Sequence, residues 1–342
     1  MTVQDTKMRR EVTEIPQAVE RLLMEGGDAV REAAREIVAR DPAYFVTVAR
    51  GSSDHACTYF KYAAELLAGL PVASVGPSVA SIYKAKLKVG GAVCLSVSQS
   101  GRSPDIVDLT RAARAGGAYT VAVTNDAGSP LAAAADATLD IHAGPELSVA
   151  ATKTFVTSAL AGLWVLAEMR GDAEVLAAIH GLPECLEKAV QVDWSPVAGA
   201  VGAGSVYTLG RGPSWAISNE AALKFKEVCQ LHAESYSSAE VLHGPVSIVE
   251  RGFPVLAFAA ADAAEGALAE VADALAEKGA QVFATTDRVR AATALPVVRT
   301  GHPLTDPLAL IVSFYAMIEA VAVARGLDPD VPRHLKKVTE TT

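Results

Sequence analysis

Three ionisable side chains share one face of a predicted helix in the second half of the sequence. Glu220, Lys224 and Glu227 follow one another at spacings of four and three residues, the spacings of neighbours on a helix surface. His243 follows beside a Gly-Pro chain reversal. A carboxylate, an ammonium and an imidazole held together can move protons between neighbouring carbons of a small substrate. The competing interpretation is a solvated helix face with an ion pair and a loop histidine.

A second stretch with chemical potential is Ser98-Gln-Ser-Gly-Arg-Ser103, which joins a continuous apolar strand to a helix beginning at Pro104. Hydroxyls, a carboxamide and a glycine at a helix N-terminus favour anion binding, because free N–H groups and the positive end of the helix dipole meet there. The sequence has no Walker motif, and no G-x-G-x-x-G follows a predicted strand. A phosphomonoester therefore fits better than a nucleotide. The alternative is a polar turn with a capping serine.

Strands and helices alternate around both stretches, which implies parallel sheets covered on both faces. The predicted strands are 44–49, 72–75, 91–97, 119–124, 138–141, 205–209, 253–258 and 281–285. A strand followed by Arg-Gly, a small residue and a serine occurs at 48–53 and again at 205–214. A repeat of about 160 residues therefore indicates two similar α/β domains in tandem.

The domain boundaries follow from these patterns. Residues 1–40 are predicted to form an N-terminal helical segment, residues 41–180 the first domain with the anion loop, and residues 197–326 the second domain with the helix of Glu227. Residues 327–342 are predicted to form a C-terminal tail that closes the active site. Each domain is expected to be a doubly wound parallel sheet flanked by helices.

The composition disfavours several classes of protein. A formal net charge of −9 provides no broad cationic surface, so no nucleic-acid partner is expected. The longest apolar stretch, 154–167, is too short to cross a bilayer, and the first twenty residues have no signal-peptide core. Four separated cysteines without a C-x-x-C pair are typical of free thiols in a reducing compartment. We therefore expect a soluble, cytoplasmic protein without a membrane partner.

Six motifs occur in a fixed order over most of the chain. They are Ser98–Gly101, Gly144–Glu146 with Thr152-Lys153, Leu209–Gly212, Ala222–Glu227, Glu240–Pro245 and Pro332–Lys337. In this order they resemble the double sugar-isomerase (SIS) family, and in particular the isomerase half of glucosamine-6-phosphate synthase. The resemblance implies two tandem SIS domains, a phosphorylated sugar as ligand, and chemistry that needs neither a cofactor nor a metal.

The resemblance also implies a binding site for the sugar phosphate in the first domain, formed by Ser53, Ser98, Gln99, Ser100 and Ser103. It implies that Glu146 anchors sugar hydroxyls. Two positions depart from the synthase pattern. Arg102 stands where the synthase has an acidic residue and adds a cation close to the phosphate, and Ala151 replaces a serine that touches the sugar.

Four residues are implied to carry the reaction. Glu227 is the base that moves a proton between C1 and C2, and Lys224 tunes its charge and holds an intermediate oxygen. His243 assists ring opening and reaches the site from the neighbouring subunit, which implies a homodimer. Lys337, on the tail, contacts the open-chain sugar and forms an imine with it in the synthase.

Several reactions are compatible with these residues. The synthase carries an N-terminal glutamine-hydrolysing domain, whereas this sequence begins Met-Thr-Val-Gln, so we expect no internal delivery of ammonia. The first expectation is deamination of glucosamine 6-phosphate to fructose 6-phosphate and ammonia. Cleavage of a fructosamine 6-phosphate and aldose–ketose isomerisation are the enzymatic alternatives. A sugar-phosphate-binding regulatory module is the non-enzymatic alternative, although residues 1–40 show no convincing helix-turn-helix.

Overall fold

The computed structural model describes residues 6–202 and 204–337. The first five residues of the predicted helical segment and residues 338–342 of the predicted tail therefore lie outside the described chain.

The first half of the described chain alternates helices with short strands, as the sequence predicts. Its elements are α1 (Lys7–Thr13), α2 (Ile15–Glu25), α3 (Gly27–Arg40), β1 (Tyr44–Val48), α4 (Ser52–Leu67), β2 (Val72–Ser74), α5 (Ser78–Ser81), β3 (Ala92–Val97), α6 (Pro104–Ala115), β4 (Tyr119–Thr124), α7 (Pro130–Ala134), β5 (Ala137–Asp140), α8 (Lys153–Arg170) and α9 (Ala173–His180). Every residue of β3 is buried, which is why its sequence is continuously apolar rather than alternating.

The second half repeats this alternation. Its elements are α10 (Leu182–Ala189), α11 (Ser195–Ala200), β6 (Ser205–Gly210), α12 (Pro213–Cys229), β7 (His232–Ser237), β8 (Pro254–Ala257), α13 (Glu265–Glu277), β9 (Gln281–Ala284), β10 (Thr293–Ala294) and α14 (Asp306–Ala324). Two 3-10 turns, Glu240–His243 and Pro245–Ile248, lie between β7 and β8.

The strands form two five-stranded sheets in which every pairing is parallel. The orders are β2-β1-β3-β4-β5 and β10-β9-β8-β6-β7. In each sheet the order reverses once, between β1 and β3 and between β6 and β8. Such a switch point leaves a crevice at the carboxyl ends of the strands, where α/β proteins bind ligands. The predicted fold class is confirmed.

The described chain divides into two compact units, each built around one sheet. The first-sheet unit comprises residues 17–146, 153–180 and 336–337, and the second-sheet unit comprises residues 6–16, 147–152 and 181–335 apart from residue 203. The predicted domain boundaries, which treat each domain as one continuous segment, stay a prediction.

Each unit contains one long apolar helix. In α8, the fifteen residues from Lys153 to Ala167 are all buried, as predicted for this stretch. Helix α14 is the one helix in the described ranges that is long and apolar enough to cross a membrane, and 83% of its most apolar window is buried inside the protein. Core helices of soluble proteins have the same length and composition, and α14 packs against α12 and α10 in the second-sheet unit.

Three features were not predicted, the first of which is the two-residue strand β10, Thr293–Ala294. Strand β7 pairs with β6 at the edge of its sheet and is mostly half-exposed, so its sequence lacks the apolar pattern of a strand. The region between the two predicted domains, residues 181–196, contains α10, whose buried residues include Leu182 and Leu186.

Candidate active site

The loop after β3 is the predicted phosphate-binding loop, and it lies in the first-sheet unit at the switch point of its sheet. Ser98 is buried, whereas Gln99, Ser100 and Ser103 are partly exposed. Helix α6 begins directly after Ser103 with Pro104 at its first position, where the missing N–H costs nothing. The sequence therefore places a polar loop at the N-terminus of a twelve-residue helix, as predicted.

Neighbouring loops fix the carbonyl groups of this loop. The Gln99 carbonyl accepts the Asn125 N–H at 3.0 Å, and the Gly101 carbonyl accepts the Leu131 N–H at 3.0 Å. Gly101 has a φ of +62°, and a Cβ at this position would lie 2.1 Å from Ser129 Oγ. Only glycine fits there, so the glycine of the motif permits the close approach of the two loops.

Several hydrogen-bond donors of this loop have no acceptor in the described chain. In the ranges 6–202 and 204–337, no group accepts the backbone N–H of Gln99, Ser100 or Ser103. The hydroxyls of Ser98 and Ser103 also make no hydrogen bond within these ranges. Converging free amides and hydroxyls at a helix N-terminus can bind a phosphate.

Two further predicted phosphate ligands lie in the same unit. Ser53 is in the first turn of α4, after the loop that follows β1, the strand next to β3. Arg102 is exposed, and its Nη2 lies 3.0 Å from the Asp126 carboxylate on the loop after β4. That carboxylate balances the cation that the sequence adds to the loop.

The predicted catalytic helix is α12, in the second-sheet unit. Lys224 Nζ lies 2.9 Å from Glu220 Oε1 and 2.6 Å from Glu227 Oε2. The side chains of Lys224 and Glu220 are fully buried, whereas that of Glu227 is 21% exposed. Tyr315 donates its hydroxyl to Glu220 Oε1 at 3.0 Å. The expected ion pair on one helix face is therefore present, but it is mostly buried rather than solvated.

The charges in this group do not cancel. Burial acts to lower the pKa of Lys224, but the two carboxylates, Glu220 first, raise it above its usual value. One ammonium then faces two carboxylates, and Oε1 of the fully buried one contacts both the Lys224 ammonium and the Tyr315 hydroxyl. Glu227 is the carboxylate of this group that reaches the surface. A carboxylate in that position can accept a proton and return it.

Glu146 and Lys337, the predicted sugar anchor and tail lysine, lie together in the first-sheet unit. Lys337 Nζ is 2.8 Å from Glu146 Oε2, and the Glu146 side chain is fully buried. The same carboxylate accepts the N–H and hydroxyl of Thr154 at 3.1 and 2.7 Å, at the start of α8. The structure thus shows Glu146 holding the tail and a helix end. Its contact with sugar hydroxyls stays a prediction.

His243 ends the 3-10 turn Glu240–His243 and is exposed. In the part of the chain that the structure describes, no residue hydrogen-bonds to its ring. Leu242 and Ile248, on either side of it, expose 45% and 55% of their surface. An exposed imidazole among exposed apolar side chains is compatible with the predicted role in a second subunit, which stays a prediction.

The sequence reasoning missed Arg50 and Asp105. Arg50 Nε donates to Asp105 Oδ2 at 2.5 Å, and Asp105 has no exposed side-chain surface. The sequence signal for this loop is the Arg-Gly repeat. The structure shows that the two copies of the loop are alike, since Gly51 has φ +56° and ψ −133° and Gly212 has φ +57° and ψ −137°.

Comparison with known proteins places this geometry in a family. The SIS domain model matches residues 43–169 and 201–297. The glutamine–fructose-6-phosphate aminotransferase (isomerizing) of Aeropyrum pernix is 35% identical over 310 residues, which are 85% of this chain and 50% of that protein. The chain spans about half the length of the curated relatives it matches.

Solved structures agree with the fold. A candidate phosphosugar isomerase from Silicibacter pomeroyi DSS-3 is 65% identical, with a TM-score of 0.93 over 95% of this chain and all of that one. The C-terminal domain of glucosamine-fructose-6-phosphate aminotransferase from Francisella tularensis is 24% identical, with a TM-score of 0.83 over 96% of this chain and 99% of that one. The second likeness shows the fold alone.

Proposed function

We propose that this chain, which belongs to the SIS domain family, is a phosphosugar isomerase that acts on amino-sugar phosphates. The proposed reaction converts glucosamine 6-phosphate and water to fructose 6-phosphate and ammonia. The observation that carries the proposal is the group of Glu220, Lys224 and Glu227, in which one partly exposed carboxylate is left to transfer a proton.

The first steps open the ring and move a proton. His243 assists opening of the pyranose, which leaves an aldehyde at C1 and the amine at C2. Glu227 then removes the C2 proton and returns one to C1, through an enolamine. Lys224 stabilises the negative charge that develops on the C1 oxygen, because its ammonium is held beside Glu227 at 2.6 Å. The result is an imine at C2.

The last step releases nitrogen. Water adds to the C2 imine, and the C–N bond breaks to give the ketone and ammonia, so atoms balance without an oxidant. Lys337 is proposed to contact the open-chain sugar from its position beside Glu146. The free amides of the Ser98–Ser103 loop, together with Ser53 and Arg102, are proposed to bind the phosphate.

The direct test is to incubate the purified protein with glucosamine 6-phosphate and to measure ammonia and fructose 6-phosphate together. Equal release of both products is expected, and a Glu227→Gln variant is the matched control without the base. Release of an amine from a fructosamine 6-phosphate alone would replace the deaminase with a deglycase. Interconversion of nitrogen-free sugar phosphates alone would indicate an aldose–ketose isomerase. Tight binding without turnover of any of them would indicate a regulatory module.

We also propose that the protein acts as a homodimer in which His243 serves the partner's site. Inactive Glu227→Gln and His243→Ala variants, mixed and allowed to exchange subunits, should regain part of the activity, because some dimers then contain one intact set of residues. A mixture that stays inactive, despite subunit exchange seen by mass spectrometry, would contradict the shared site.

A further inference from the structure

Arg50 lies where the phosphate of a ligand is expected. It follows β1 by two residues, and Val48 of β1 pairs with Ser96 of β3. The same register places Arg50 level with Ser98 on the neighbouring strand, and parallel strands lie about 4.8 Å apart. The two loops leave the sheet side by side at its switch point, between β1 and β3.

A buried acid orients this arginine. Asp105 lies in the first turn of α6, two residues after Ser103, and its Oδ2 accepts the Nε–H of Arg50 at 2.5 Å. The Asp105 side chain is fully buried, whereas that of Arg50 is 47% exposed. The bond therefore fixes the inner edge of the guanidinium and couples it to the helix that begins at the phosphate loop.

The outer edge of the guanidinium remains available. Nη1 and Nη2 of Arg50 have no hydrogen-bond partner within residues 6–202 and 204–337. Two parallel N–H groups of arginine match two oxygens of a phosphate. The charge of Arg50 also acts on Asp54 in the first turn of α4, where burial raises the pKa of Asp54 and the charges of His55 and Arg50 oppose that rise.

Two other arginines, one in the Ser98–Ser103 loop and one in the second Arg-Gly loop, differ from Arg50. Arg102 directs Nη2 at Asp126, so part of its terminal edge is already used. Arg211, which precedes Gly212 as Arg50 precedes Gly51, is exposed and has no acidic partner within 4 Å in the described ranges. Of these three arginines, Arg50 alone combines a buried acid on one edge with an open edge beside the phosphate loop in the described chain.

We propose that Arg50 is a further phosphate-binding residue of the first-sheet unit and that Asp105 is its positioning residue. The N–H groups of Nη1 and Nη2 donate to two oxygens of a phosphomonoester. The third oxygen accepts hydrogen bonds from the free amides of the Ser98–Ser103 loop. This inference rests on the proposed function to the extent that both use this loop. It supplies the local cation that a chain of net charge −9 needs to bind an anion.

The test measures binding and kinetics in matched variants. Calorimetric titration with fructose 6-phosphate and with inorganic phosphate compares the wild type with Arg50→Gln, Arg50→Lys and Arg111→Gln. Arg111 is the control, because it forms an exposed ion pair with Asp108 on the same helix, α6. Arg50→Gln should weaken both ligands by about tenfold to a hundredfold, the loss expected for hydrogen bonds to a charged group. Arg50→Lys should lose less, and Arg111→Gln should bind as the wild type does.

Kinetics separate binding from folding. Arg50→Gln should raise KM while kcat stays near the wild-type value, because the phosphate is bound equally in the ground and transition states. Asp105→Asn, which keeps an acceptor oxygen, should raise KM less than Asp105→Ala. A variant that only unfolds would instead lower the active fraction and leave KM unchanged.

The outcomes distinguish the two proposals. Phosphate binding that is lost in Arg50→Gln supports the inference even if no sugar phosphate is turned over. Turnover by the wild type with an unchanged KM in Arg50→Gln overturns the role of Arg50 and leaves the proposed function standing. A wild type that neither binds phosphate nor turns over any sugar phosphate overturns both.

Discussion

The loops after β3 and β8 occupy matching positions in the two sheets, yet they use their backbone donors in opposite ways. After β3, the amides of Gln99, Ser100 and Ser103 have no acceptor in the described chain. After β8, Ala259 N–H donates to Thr285 Oγ1 at 2.8 Å, and Ala261 N–H donates to Asp306 Oδ2 at 2.9 Å. The loop after β3 leaves these backbone donors without acceptors in the described chain, whereas the loop after β8 uses its donors in hydrogen bonds within its own unit.

The cations at the two switch points differ in the same way. Arg299 in the second-sheet unit donates to the carbonyls of Ala259 and Thr285 and to the carboxylates of Glu265 and Asp306. Arg50 in the first-sheet unit makes one such bond, to Asp105. A site that is satisfied internally contributes to stability, whereas an open one is available to a ligand.

The helices that follow β1 and β6 differ in the opposite sense, because here the second copy carries the ionisable residues. When Gly51 is aligned with Gly212, Tyr59, Ala63 and Leu66 of α4 match Glu220, Lys224 and Glu227 of α12. The first copy has no ionisable pair at these positions, and the second has a buried ion pair that reaches the surface at Glu227. The comparison is the basis for proposing that one repeat binds the ligand and the other transfers the proton.

The largest effect should come from Glu227→Gln, which removes the base but preserves the shape of the side chain. Turnover should fall by about a hundredfold to ten-thousandfold, the usual contribution of general acid–base catalysis. Affinity for fructose 6-phosphate should change little, because the phosphate loop is in the other unit. Exchange of the C2 proton with solvent deuterium, followed by NMR, is the measurement. Wild-type exchange in this variant would remove Glu227 from the mechanism.

Lys224→Met should be the most damaging substitution for stability in α12. It leaves Glu220 buried without its cation, at a cost of about 3–5 kcal/mol in the free energy of unfolding. The double variant Glu220→Gln with Lys224→Met removes both charges and should recover much of this loss. Chemical denaturation of the three proteins measures the effect. A single variant as stable as the wild type would show that the ion pair contributes nothing.

The same ion pair predicts a loss of stability in alkali. The pKa of Lys224 is raised in the folded state above its usual value of 10.5, so the folded protein retains this proton more strongly than the unfolded chain. Its contribution is complete below that value and is lost as pH rises through the raised pKa. The difference in unfolding free energy between the wild type and the double variant should therefore shrink above pH 10.5. A difference that is constant or grows would contradict the sign.

The two loops can be compared directly through Thr285→Val and Ser100→Ala. Thr285→Val leaves the buried Ala259 N–H without its acceptor and should lower the free energy of unfolding by about 1–3 kcal/mol. Ser100→Ala should change stability by less than about 0.5 kcal/mol, as surface substitutions usually do. It should instead weaken fructose 6-phosphate binding without affecting unphosphorylated fructose. Thermal melts and titrations of both variants measure these effects. A Ser100→Ala variant that loses stability, or a Thr285→Val variant that loses only ligand binding, would contradict the comparison.

The smallest effect should come from Arg102→Gln. Its ion pair with Asp126 is exposed on both sides, and such pairs contribute about 0–1 kcal/mol. The free energy of unfolding should therefore hardly change. The KM for a sugar phosphate should rise by less than about fivefold, because Arg102 is exposed to solvent and its charge is already balanced by Asp126. A much larger rise, of the size expected for Arg50→Gln, would make Arg102 the principal cation of the site.

The sequence was sufficient wherever the determining pattern is local. The apolar run of β3 and the proline at 104 predict the strand, loop and helix around Ser98–Ser103. Spacings of four and three residues likewise predict the contacts of Lys224 with Glu220 and Glu227. These elements depend on residues within one or two helical turns of each other.

The sequence was insufficient where the partners are distant. Glu146 and Lys337 are separated by 191 residues, and Arg50 and Asp105 by 55. Their contacts depend on strand order and loop packing, which no local periodicity encodes. The sequence did not predict strand β7 for another reason: an edge strand with mostly half-exposed residues carries no apolar alternation.

Helix α1 has consequences for the order in which the protein can fold during translation. The backbone amides of Lys7 and Met8 donate to the Asp330 carboxylate, 323 and 322 residues later, and the buried Glu11 accepts the amide of Ser148. A seven-residue helix is not stable by itself in water. This segment therefore leaves the ribosome 322 residues before Asp330, its hydrogen-bond partner, whereas the contiguous strands β1 to β5 can pair in the meantime. The second-sheet unit is consequently completed only after Asp330 has been synthesised, although α1 precedes every strand of the first sheet.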